Sequence, residues 1–118
     1  MPNIERRYPG VGYIIEKTML AVDGLATSTD SLPRRLASAY VFHLMYAIHD
    51  MKERNPEGIP SKVVKLLEEI ESAMSSIQVR DDRGLEGAIE GQMDENRAHD
   101  LITKIVEMDH MLLGDMYD

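Results

Sequence analysis

The chain of 118 residues has no cysteine, no tryptophan and a single phenylalanine. Without cysteine there is no disulfide, thiolate zinc site, iron–sulfur cluster or cysteine nucleophile. Long hydrophobic runs are also missing. The longest, Leu36 to Ile48, spans 13 residues and is interrupted by Ser38 and His43, whereas a bilayer-spanning helix needs about 20. No apolar stretch follows the charged start Met1–Arg7 that would serve as a signal-peptide core. A soluble, cytoplasmic protein with no membrane partner is the expectation.

Positive charge is scarce as well. Thirteen Lys and Arg stand against 21 Asp and Glu, for a formal net charge of −8. The deficit is uneven, with residues 1–67 at +2 and residues 68–118 at −10. Nucleic-acid binding rests on a concentrated basic face that neutralises phosphates. Here the only basic doublets are Arg6-Arg7 and Arg34-Arg35, so nucleic acid is not an expected partner. An acidic half steers a basic partner or simply keeps the chain soluble.

What is present is an ordinary globular composition, 43% apolar and 29% charged, with nine methionines. That length and composition suit one domain with a core of its own. The apolar residues recur at helical spacing, and no segment alternates apolar and polar as a half-buried strand would. The fold class read from this pattern is all-α, a compact four- to five-helix bundle in a single domain, 1–118.

An N-terminal arm over 1–12 precedes a helix over about 13–25, with Ile14, Ile15, Met19, Val22 and Leu25 inward. The second helix spans 31–54, opened by Asp30 or Ser31 as a cap and tolerant of Pro33 in its first turn. Being apolar nearly all round from Leu36 to Ile48, it is expected at the centre of the bundle. A third helix over 61–77, capped by Ser61, carries the seam Val63, Leu67, Ile70, Met74 and Ile77. Lys62, Lys65, Glu68, Glu69 and Ser72 form its other side. Gly87 and Gly91 weaken a fourth helix over 85–92. The last runs over 95–113, capped by Asp94 and ended by Gly114, with Ala98, Leu101, Ile102, Ile105, Met108 and Leu112 inward.

Helical bundles house metals between facing helices, so the histidines bear on function. His49 and Glu53 form H-x-x-x-E, and Glu107 with His110 forms E-x-x-H, with Asp115 five residues beyond His110. These fragments resemble parts of the hemerythrin and ferritin-like di-iron patterns. The third helix carries no His, however, and only one E-x-x-H copy exists. The metal-binding or redox reading would need His49, Glu53, Glu107 and His110 to converge. His43, in the middle of the most apolar helix, reads as a core histidine satisfied by Tyr40, Asp50 or a carbonyl.

The run His99-Asp100-Leu101-Ile102-Thr103 resembles the phospho-accepting box of dimeric histidine kinases, which implies histidine phosphotransfer. The second long helix that such a hairpin needs does not follow. Glu68, Glu69 and Glu71 read as a solvated face, and Gly10-Val11-Gly12 lacks the third glycine of a dinucleotide loop. No nucleophile with a supporting base is visible, so the chain reads as a non-enzyme with no cofactor.

Several short stretches are shared in order with one family. They are Ala21-Val22-Asp23-x-Leu25-Ala26, Arg35-Leu36-x-Ser38-Ala39-Tyr40, Ile59-Pro60, Arg83-Gly84 with Gly87, Ile89 and Met93, and Lys104-Ile105. In these the chain resembles a family of small, uncharacterised, all-helical bacterial proteins of similar length. The resemblance implies a compact helical fold and no assigned activity, cofactor or catalytic residue.

Interaction remains as the leading reading: a small acidic helical module of regulator, inhibitor or immunity type that binds a protein partner, self-association included. Methionine adapts to irregular surfaces, and Met45, Met51, Met74, Met93, Met108, Met111 and Met116 are spread over the helices. The last helix carries apolar residues beyond its inward stripe, at Val106, Met111, Leu113, Met116 and Tyr117. Such a helix has a second contact, to the rest of the bundle or to another chain such as the second copy of a homodimer. Tyr8 to Tyr13 form a candidate tyrosine-bearing arm.

Overall fold

The computed structural model describes residues 11–54, 58–79 and 84–117, with residues 115–117 in backbone only. Among the described residues there are five helices and no strand. These are α1 (Gly12–Thr27), α2 (Leu32–Ala39, a π turn over Tyr40–Leu44, then Met45–Arg54), α3 (Ser61–Ser75), α4 (Gly84–Gln92) and α5 (Glu95–Tyr117). The expected all-α bundle is therefore the fold. Its radius of gyration, 14.2 Å, is near the ~13.5 Å of a compact chain of this length.

Local chemistry sets most of the boundaries. Ser31 caps α2, its hydroxyl accepting the Arg34 amide at 3.4 Å, with Pro33 in the first turn. Asp94 caps α5 by accepting the Arg97 amide at 2.7 Å. Ser61 is not a cap: Pro60 holds that position and makes no side-chain bond, so Ser61 is the first helical residue. α3 also stops at Ser75, leaving Ile77 half-buried beyond it. Gly114 does not end α5, which continues to Tyr117 and so includes Asp115. A glycine inside a helix costs about 1 kcal/mol, which weakens a helix without obliging it to stop.

The core is one cluster with contributions from every helix, including Ile14, Leu36, Leu44, Leu67, Ile70, Ile89, Ile105 and Met108. α1 packs on α5 and along α2; α4 lies against the first third of α2; α3 packs on α5 and, less extensively, on the last third of α2. In α1 the inward line is Ile14, Ile15, Thr18, Ala21 and Leu25. Met19, expected inward, is exposed. Thr18 replaces it because its hydroxyl donates to the Ile14 carbonyl at 2.8 Å and needs no other partner in the core.

The π turn explains how α2 keeps one face inward over a long run. Leu36, Tyr40, Leu44 and Ile48 are all buried, yet they are spaced by four. On an unbroken α-helix each such step drifts about 40° round the axis. In the π turn the Met45 amide reaches back to the Tyr40 carbonyl, and the wider turn takes back part of that drift. α2 is nevertheless not enclosed as expected, because Phe42, Met45 and Tyr46 on its outer side are exposed.

Candidate interaction surface

The exposed outer side of α2 continues onto α1. Helical periodicity places Phe42, Met45, Tyr46 and His49 within about a 100° arc of α2, and Tyr13, Glu16, Lys17 and Leu20 within a similar arc of α1. Lys17 joins the two, its Nζ lying 5.4 Å from the Tyr13 ring centroid and 5.6 Å from that of Tyr46, within cation–π reach. Phe42 is 57% and Tyr46 54% exposed, and Tyr13, Leu20 and Met45 are exposed as well. The chain's only phenylalanine thus lies in water beside two tyrosines.

Half-buried His43 sits behind this face. Its Nδ1 is buried and has no hydrogen-bond partner among the described residues, so it is not the satisfied core histidine expected from the sequence. Asp50, one expected partner, is turned to Arg54 in two bonds of 2.6 and 2.7 Å. Burial, and secondarily the Lys17 cation, push the His43 imidazole below its ordinary pKa. It is thereby held neutral under the patch.

The four candidate metal ligands do not converge. His49 lies at a surface hollow of about 260 Å³ with Tyr40, Lys52 and Glu71, where Lys52 and Glu71 pair at 2.6 Å. Glu53 and His110 are exposed. Glu107 pairs with Lys62 of α3 at 3.1 Å. Among the described residues no three His, Asp or Glu are grouped to hold a metal. The reason is topological: α3 packs on both the last third of α2 and α5, and its charges engage each helix separately.

Of the two contacts open to the second apolar side of α5, the bundle itself supplies part. Val106, Met111 and Leu113 are half-buried, and Met111 packs against the core. α1, the first third of α2 and α3 all touch α5, so the bundle itself draws on more than one side of it. The side chains of Met116 and Tyr117 and all of Tyr8–Gly10 lie outside the described residues. His99 is exposed, while Thr103 donates to its backbone carbonyl at 2.9 Å rather than to the imidazole.

Part of the charge split along the chain is internal complementarity. Arg34 reaches Glu90 at 2.7 Å and Glu86 at 3.1 Å, holding α4 to α2. These carboxylates push its guanidinium further up, through the Glu90 hydrogen bond first. Together with Lys52–Glu71 and Lys62–Glu107, basic residues of the first half meet acids of the second. The open groove of about 710 Å³ between α3 and α5 is lined by such matched charges, with Lys104 also 3.5 Å from Asp100 and 3.9 Å from Glu69. It offers a ligand little unpaired charge.

The exposed aromatic stripe is the feature that sequence reasoning missed. Its signal was the excess of apolar residues in α2, more than one inward face can bury. No helix of the described residues is long and apolar enough to cross a membrane. Comparison with protein families, with curated proteins and with solved structures gives no match.

Proposed function

We propose that this chain is a small, acidic, cytoplasmic helical module that works without catalysis, regulating or inhibiting another protein by docking it on the outer face of α1 and α2. One observation carries the reading: Phe42, Tyr46, Tyr13, Met45 and Leu20 are all exposed on α1 and α2, and Tyr13 and Tyr46 both close on Lys17. Soluble monomers rarely leave a contiguous apolar patch of several hundred Å² open unless it meets something. Aromatic side chains, moreover, dominate the energetics of interfaces. The matched charges elsewhere on the bundle supply solubility and helix-to-helix registry.

The test uses the chain as bait against native lysate, with Phe42→Ser/Tyr46→Ser as the paired control and helicity checked by circular dichroism. The reading predicts that the wild-type chain retains a stoichiometric partner, another copy included, and that the folded double variant loses it. The same partners retained at equal yield by the double variant would refute it.

A further inference from the structure

The partner itself is legible in the charges of the patch. On α1, exposed Glu16 and half-buried Lys17 are neighbours on the arc that also carries Tyr13 and Leu20. Neither is in an ion pair among the described residues, whereas Arg34, Lys52, Lys62 and Lys104 each reach an acid on another helix. A partner selected by the chain's overall charge of −8 would be basic and would meet Lys17 at the centre of this face. A face bearing one charge of each sign outside any ion pair, beside exposed apolar side chains, suits itself instead. In a two-fold contact the cation of each copy meets the anion of the other.

The area is adequate. From the exposures of Tyr13, Leu20, Phe42, Met45 and Tyr46, these side chains offer on the order of 400 Å² of apolar surface. A standard interface takes about 800 Å² from each partner, rather more than half of it apolar. Glu16, the Lys17 ammonium and the His49 ring supply part of the polar remainder.

We infer that the α1/α2 face pairs with a second copy of this chain in an isologous dimer, in which two reciprocal Glu16–Lys17 contacts lie beside the exposed aromatic side chains. This inference rests on the reading of the face as a docking surface and names its occupant.

The test is a charge-swap series followed by sedimentation velocity from about 1 to several hundred micromolar. Wild type is expected to dimerise. Lys17→Glu and Glu16→Lys each place like charges opposite one another in both contacts, so each alone should dimerise at least about tenfold more weakly. An equimolar mixture of the two variants restores both attractive contacts and should recover the dimer as a heterodimer. Glu16 is exposed, so its variant should keep the fold, as circular dichroism will verify. A wild-type chain that stays monomeric throughout overturns the inference, as does a dimer indifferent to either swap or a mixture that fails to recover. If the wild type is monomeric and a foreign protein binds through Phe42 and Tyr46, the two-fold pairing fails while the docking surface stands. A monomer with no such binding overturns both.

Discussion

Two residues on either side of one helical turn should respond very differently to truncation. Leu44, at the end of the π turn, is 0% exposed, whereas Phe42, two residues earlier, is 57% exposed. Leu44→Ala removes atoms with no route to solvent and leaves a cavity, costing about 3–4 kcal/mol. Phe42→Ala deletes a larger side chain, but less than half of it is withdrawn from water. With a side chain of roughly 200 Å² and ~25 cal/mol per Å², the buried share represents about 2 kcal/mol. Alanine retains part of that contact, leaves no closed cavity and gains about 0.5 kcal/mol in helix propensity. The net cost should therefore be about 1 kcal/mol. Urea denaturation followed at 222 nm gives both values from the shift in midpoint at constant slope. For a chain of this size the leucine variant should also lose about 12–15 °C in Tm, and the phenylalanine variant about 4 °C. If Phe42→Ala costs as much as Leu44→Ala, then Phe42 is a core residue and the exposed aromatic face does not exist.

Two further predictions concern the backbone and a buried acid. Gly84 opens α4 at φ +74°, so Gly84→Ala should cost about 1 kcal/mol, whereas Gly24→Ala, inside α1 with nothing within 4 Å of the added methyl, should gain about 0.5–1 kcal/mol. Thermal melts showing the same sign at both sites would contradict these assignments. Asp109 is 8% exposed, and its Oδ1 has no hydrogen-bond partner among the described residues. Burial foremost, and then Asp23, raise its pKa, while His110 opposes the rise. Because the folded value is raised, the ionised carboxylate destabilises the fold above that value, and the penalty is relieved as pH falls towards the ordinary aspartate range. Asp109→Asn should therefore stabilise the protein by about 1 kcal/mol at pH 7, with the gain shrinking in acid. A gain that is constant from pH 7 to pH 3 would refute the cause.

The helices were legible in the sequence because periodicity and caps report local physics. Ser31 and Asp94 cap where their side chains allow it, and Val63, Leu67, Ile70 and Met74 line the buried side of α3 as their spacing requires. The exposed patch was not legible, because periodicity says which residues share a face and not which faces find neighbours. The apolar excess of α5 at Val106, Met111 and Leu113 is half-buried, whereas α2, whose pattern predicts a helix enclosed by others, is open along Phe42, Met45 and Tyr46. The π turn at Tyr40–Leu44 lies behind part of this, since it shifts the phase of the helix without any proline or glycine to announce it. Charge pairing was hidden for a related reason. Arg34 and Glu90 are 56 residues apart, and only the packing of α4 on α2 brings them together.

Whether the outer face of α1 and α2 meets another protein surface is decided by a photo-crosslinking amino acid at position 46, compared with one at position 68 on the exposed side of α3. A docking face gives a discrete crosslinked product from position 46, lost when Phe42 is changed to serine, and none from position 68. No product from position 46, in native lysate or in the purified chain at high concentration, or equal products from both positions, would contradict it.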